Sequence, residues 1–164
     1  MLIHIISGHG ERGKSTVLKL LAVKLLKKTQ YSNNDIKAIT KEIDEERKDR
    51  RNRRSVSVRN IKKCLTINGK KVCICSAGDN EDSVKRTLDF FTTNQCDIGF
   101  CAARSKGRTL EALRNFENLG RAKLVFHKKA VILNATFNNI DFPEFDDYID
   151  KLNEWEAEEL GKLV

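Results

Sequence analysis

Apolar residues in this chain fall into short continuous runs separated by longer helical stripes, and that alternation predicts an α/β fold. The first run, Leu2-Ile3-His4-Ile5-Ile6, is short and β-branched, as expected of a strand buried on both faces. Thr16 to Lys28 lacks Gly and Pro, is too long for a strand, and closes on lysines that suit a helix C-terminus. A turn-rich link from Gln30 to Asp35 leads into a second helix, Asp35 to Arg54, with Asp35 as its N-cap and Ile36, Ile39 and Ile43 on one side. Ile61 to Ile67 and Lys70 to Ser76 flank Asn68-Gly69, the signature of a hairpin with a two-residue type I′ turn. Lys70 and Lys71 keep that turn wet, while Val72-Cys73-Ile74-Cys75 should enter the interior of a sheet.

The second half continues the pattern. Asn80 or Asp82 caps a helix from Ser83 to Thr93 whose buried stripe is Val84, Leu88 and Phe91. Asp97 to Ala103 is another strand, Leu110 to Leu119 a short helix stopped at Gly120, and Lys123 to Leu133 a strand pair or one strand broken at His127-Lys128-Lys129. His127 and its neighbouring lysines read as surface. Pro143 opens a last helix carrying Phe145, Ile149, Leu152, Trp155 and Leu160 as its apolar stripe. With no repeat or low-complexity linker, residues 1–164 read as one domain. Five cysteines, Cys64, Cys73, Cys75, Cys96 and Cys101, are read as free thiols, three of them in apolar strand-like runs, because no second pair completes tetrahedral metal spacing. No apolar run approaches a membrane span and no signal peptide opens the chain, so a cytoplasmic protein without membrane contact is expected.

Chemistry concentrates between the first strand and the first helix. Gly8-His9-Gly10-Glu11-Arg12-Gly13-Lys14-Ser15 fills every fixed position of G-x-x-x-x-G-K-[ST], followed by Thr16. Gly8, Gly10 and Gly13 let backbone N–H groups approach a polyphosphate, and the helix adds its own free donors and the positive end of its dipole. Lys14 would reach the β- and γ-phosphates, Ser15 would ligate Mg²⁺, and Thr16 is a weaker candidate for the α-phosphate. His9, Glu11 and Arg12 occupy variable positions, with Arg12 nearest the leaving oxygens. On these residues the chain resembles the P-loop NTPase superfamily, a resemblance sharp over Leu2 to Lys28 and diffuse beyond. It implies a three-layer P-loop fold with a mainly parallel sheet and one antiparallel hairpin strand, with Mg²⁺ and a nucleoside triphosphate as ligands.

The metal-side carboxylate is expected at the end of a neighbouring strand, and Asp79 is the candidate. The order loop, helix, hairpin, then small-Ala-Gly-polar also resembles Ras-type GTPases, whose strand runs into Asp-x-Ala-Gly-Gln. Here Cys75 stands at that Asp and Asp79 at that Gln, which leaves Asp79 as metal anchor or as base. The Asn-Lys-x-Asp tetrad that reads guanine is absent, so ATP is favoured over GTP, with Arg104 over the base or neutralising the transferred phosphoryl group. Lys106 and Arg108 accompany it.

Net charge of +8 favours polyanionic partners without choosing among them. The densest charge, Glu45 to Arg54, includes Arg50, Arg51, Arg53 and Arg54, either a solvated helix end or an arginine comb for a second phosphate, a nucleic acid or a partner protein. Three functions follow: an ATPase; a nucleoside- or nucleotide-kinase-like phosphotransferase that uses Arg47 to Arg59 for its acceptor; or a slow nucleotide switch that docks a protein or nucleic acid through the same comb.

Overall fold

A computed structural model of the chain describes residues 1–8, 13–29, 33–51, 59–129 and 143–164. In chain order the elements are β1 (Leu2–Ser7), α1 (Lys14–Lys28), α2 (Asn33–Arg51), β2 (Lys62–Ile67), β3 (Lys70–Cys75), α3 (Glu81–Thr93), β4 (Ile98–Ala103), α4 (Arg108–Asn118), β5 (Lys123–Lys128) and α5 (Pro143–Gly161). The strands form one five-stranded sheet in the order β2-β3-β4-β1-β5. β1 is parallel to β4 and β5, and β3 is parallel to β4; only β2 runs antiparallel, paired with β3. The hairpin forms as the Asn-Gly pair dictates, with both turn residues in the left-handed region (Asn68 φ 51°, Gly69 φ 77°).

Parallel pairing puts the carboxyl ends of β1, β3, β4 and β5 on one edge. The loops after these strands therefore share that edge. From β4 the chain crosses β1 to reach β5, so β1 lies where the winding reverses, the usual position of a ligand crevice in an open α/β sheet.

Helices cover both faces. Ile6, Ile74 and Phe100 pack against Val17, Leu18, Leu21 and Leu25 of α1, Ile39 and Ile43 of α2, and Ala157 and Leu160 of α5. On the other side Ile3, Ile5, Cys73, Cys75 and Cys101 pack against Val84, Leu88 and Phe91 of α3 and Leu113 and Phe116 of α4. Each fully buried leucine or phenylalanine contributes about 1.5–3 kcal/mol, so both layers hold the sheet. α2 returns along α1, with Glu46 beside Thr16. α5 runs in the same direction as α1: Asn153 faces Gly13, Lys24 meets Glu158 at 4.0 Å, and Gly161 faces Leu21. The start of α5, Pro143 to Leu152, thus projects past the start of α1 toward the loop edge.

Several sequence expectations change. α2 begins at Asn33, and Asp35 is not its cap; it accepts from Lys63 of the hairpin at 2.7 Å. Asn80, one of the two caps expected, does cap α3 by accepting from the Ser83 amide, but the helix starts at Glu81 rather than Ser83. Trp155 is 58% exposed, because the face of α5 that meets α1 is lined by small and polar residues, Asn153 and Ala157, as well as by Leu160. Lys129 is buried, not surface, and His127 is half-buried against His4. The expected strand residues beyond Lys129, 130–133, lie outside the described residues. Among the described residues no helix is long and apolar enough to cross a membrane.

Candidate functional site

The loop between β1 and α1 leaves the carboxyl edge at Ser7 and ends at Gly13, whose φ of 73° is left-handed and favours glycine. His9, Gly10, Glu11 and Arg12 lie outside the described residues. α1 starts at Lys14 behind Gly13, an N-cap residue with no side chain to accept from the first turn. Lys14 is 5% exposed and its ammonium donates to the Gly8 carbonyl at 3.2 Å. Burial holds this lysine below its ordinary range, opposed by the nearby Asp79 carboxylate and assisted by Arg104. The three residues singled out as reactive therefore share one electrostatic neighbourhood.

Asp79 arrives there by an unexpected route. β3 is not adjacent to β1; β4 lies between them, which corrects the expectation of a neighbouring strand. The chain leaving β3 crosses the end of β4, and it can do so because residue 78 has no side chain. A Cβ on Gly78 would stand 1.8 Å from the Ala102 carbonyl oxygen. Asp79 itself is exposed, as are Arg104, Lys106 and Arg108 on the loop after β4 and at the start of α4.

Ser15 Oγ is buried and has no hydrogen-bond partner among the described residues. A buried hydroxyl left unmatched costs about 1–3 kcal/mol, and a cation ligand would relieve it. Magnesium sites of this sort take one or two protein oxygens, the rest coming from phosphates and water, so Ser15 and a carboxylate in the position of Asp79 fit that ion's chemistry. Among the described residues no group of three or more His, Cys, Asp or Glu side chains is gathered for a metal. Thr16, by contrast, spends its hydroxyl on Glu46 at 3.1 Å.

Glu46 also pairs with Lys19 at 2.6 Å, and Lys19, wholly buried, lies 3.0 Å from Glu42. Arg47 binds Asp150 at 3.2 Å and Glu154 at 2.7 Å, tying α2 to α5. Those carboxylates hold its guanidinium above its ordinary range despite burial. It therefore leaves the proposed comb and acts as a strut. Arg53 and Arg54 and the side chains of Arg50 and Arg51 lie outside the described residues; α2 itself ends at Arg51.

Sequence reasoning missed Lys129 and Asn153. Lys129 Nζ donates to Asn153 Oδ1 at 2.8 Å and pairs with Glu156, beside Gly8 and Gly13. The signals were present: a lysine just after a strand at the ligand edge, and an asparagine between apolar positions of an amphipathic helix. Comparison of the chain with protein-family models, with curated proteins and with solved structures finds no match.

Proposed function

We propose that this chain is a P-loop NTPase that binds Mg²⁺ and ATP through Gly8 to Thr16 and hydrolyses the triphosphate or transfers its γ-phosphate. One observation carries the reading: a buried lysine and a buried serine hydroxyl with no hydrogen-bond partner among the described residues stand side by side at a helix start whose N-cap is a glycine, behind a glycine-rich loop at the sheet's carboxyl edge. An ammonium held below its ordinary range is readily matched by phosphate oxygens, whose charge restores it. Ser15 and Asp79 would hold the magnesium ion, which neutralises charge building on the phosphate oxygens. Lys14 would bind the β- and γ-phosphates, the loop amides would orient them, and Arg104 would face the transferred group or the base. Thr16 would contribute its amide, since its hydroxyl serves Glu46.

A specific observation favours transfer as the second reading. α2 returns along α1, so its C-terminal end at Arg51 lies toward the loop edge, the side on which an acceptor phosphate would stand. The test is to incubate the protein with γ-labelled ATP, Mg²⁺ and a panel of nucleosides, monophosphates and short nucleic acids. Label in free phosphate alone means an ATPase, and label on an acceptor means a phosphotransferase. Lys14→Ala should lower either turnover by about 10²–10³, the usual effect of removing one preorganised charge-stabilising donor. Turnover unchanged by Lys14→Ala would overturn the assignment.

A further inference from the structure

Lys129 leaves β5 beside the loop that follows β1. Its amide donates to the Ser7 carbonyl at 2.8 Å. Its Cβ lies 3.2 Å from the point where a Cβ on Gly8 would stand, and the Lys14 stem lies 4.0 Å from the same point. Two lysine stems thus flank one loop glycine. Lys129 is 3% exposed, and its ammonium is shared between Asn153 and Glu156 of α5. An ammonium only donates, so the Asn153 atom it meets is the carbonyl oxygen, and Nδ2 is left as a buried donor with no partner among the described residues. That carboxamide lies against the loop, its Oδ1 2.9 Å and Nδ2 3.1 Å from where a Gly13 Cβ would stand.

We propose that Lys129 and the Asn153 carboxamide are further phosphate-binding groups of this site, and that Glu156 and the phosphates of the nucleotide compete for the Lys129 ammonium. The inference rests on the nucleotide reading above. A buried ammonium needs one anion at close range, and a phosphate oxygen meets that need as a carboxylate does. The Asn153 Nδ2 donor gains an acceptor in the same exchange. When phosphate takes the ammonium, α5 loses its ion pair at Glu156, so the grip of α5 on the loop and the grip of the loop on nucleotide oppose each other. The coupling is reciprocal: whatever loosens Glu156 tightens nucleotide binding.

Calorimetric titration of Mg-ADP into four proteins tests this: the unaltered chain, Glu156→Gln, Lys129→Met, and the double variant. Glu156→Gln should bind about tenfold more tightly and Lys129→Met about tenfold more weakly, within the usual range of such couplings. The gain from Glu156→Gln should vanish in the double variant. An unchanged affinity in Glu156→Gln, or a gain that survives without Lys129, overturns the proposal and leaves nucleotide binding standing. No heat from any of the four overturns both. Hydrogen exchange on the unaltered chain gives a readout that needs no variant. Amides from Asn153 to Gly161 should exchange faster with Mg-ADP present while those at the start of α1 slow; unchanged or slowed exchange in α5 overturns the competition.

Discussion

On the α1, α2 and α5 face the sheet covers lysines and carboxylates, whereas on the α3 and α4 face it covers thiols and aromatic rings. The first face buries Lys14, Lys19, Glu46, Lys129, Asp150 and Asn153, each with a hydrogen-bond or ion-pair partner. The second buries Cys73, Cys75, Cys96, Cys101, Phe91 and Phe116. Its polar contacts include Cys75 of β3 with Thr87 of α3 at 3.0 Å and, within α3, Thr87 to the Ser83 carbonyl at 2.9 Å. Burial pushes the Cys101 thiol up, as it should for a thiol serving as a small hydrophobe. Even when paired, buried charge adds little net stability over packed apolar groups, so the two faces differ in what losing one group costs. The charged face carries the start of α1.

The largest effect should come from the charged face itself. Lys19→Ala leaves Glu46, only 8% exposed, facing Thr16 without its ammonium, and breaking a buried pair on one side costs about 3–5 kcal/mol. Replacing both partners, Lys19→Met with Glu46→Leu, should recover most of that loss, because two well-packed apolar groups need no pairing. Urea unfolding of the three proteins measures it. A loss under about 1 kcal/mol for Lys19→Ala, the level of an exposed pair, would erase the contrast between the faces.

Two glycines sharpen the contrast next. A Cβ on Gly78 meets backbone, 1.8 Å from the Ala102 oxygen, while a Cβ on Gly99 meets the Phe91 ring at 2.7 Å. Both Gly→Ala variants should lose about 1–3 kcal/mol by overpacking. Only Gly78→Ala should also weaken Mg-nucleotide binding, because it displaces the loop that brings Asp79 to Lys14. Equal affinity in the two variants would detach Asp79 from the site.

These glycines also mark what the sequence disclosed. The glycine-rich motif, the hairpin at Asn68-Gly69 and the strand and helix runs were legible because local chemistry alone specifies them. Strand order was not, since no local signal says that β4 slips between β3 and β1; the near-contact at Gly78 follows from that order. Lys129 read as surface, and Arg47 as solvated charge or part of a comb, for the same reason, and nothing local marked Lys19. Each is buried or braced by a helix remote in sequence, and one chain's periodicity cannot reveal which carboxylate will face which lysine. Trp155 failed in the opposite sense: its spacing fits a buried stripe, but the contact of α5 with α1 is set by Asn153, Ala157 and Gly161.

A milder effect is expected on the thiol face. Cys101→Ala removes a methyl-sized group from a fully packed position and should cost about 1 kcal/mol, with nucleotide affinity unchanged. Changed affinity would mean that this face communicates with the loop after all, through β4 and Ala103, whose carbonyl accepts from the Gly8 amide at 3.3 Å.

The smallest effect at neutral pH belongs to His4 and His127, and it grows only on acidification. His4 Nδ1 and His127 Nε2 are 2.9 Å apart, so one ring must donate and the other accept, and protonating both nitrogens destroys the bond. His4 Nε2 is buried with no partner among the described residues, which leaves an added proton there without an acceptor from them. Burial lowers both rings below the ordinary 6.5, and for His4 the neighbouring His127 lowers it further. The folded chain therefore binds fewer protons than the unfolded chain in this range, so stability is complete above about pH 6.5 and falls as pH drops from there through the folded values. His127→Gln keeps a donor and an acceptor opposite His4 while removing one titrating ring. It should leave the pH 7.5 unfolding midpoint nearly unchanged and flatten its decline toward pH 5.5. Glu81, held below its ordinary 4.5 by Lys85, contributes only at more acid pH and does not confuse the comparison. A variant whose midpoint falls as steeply as the unaltered chain's between those pH values would remove the histidine pair from the charged face's account and leave its lysines and carboxylates to carry that account alone.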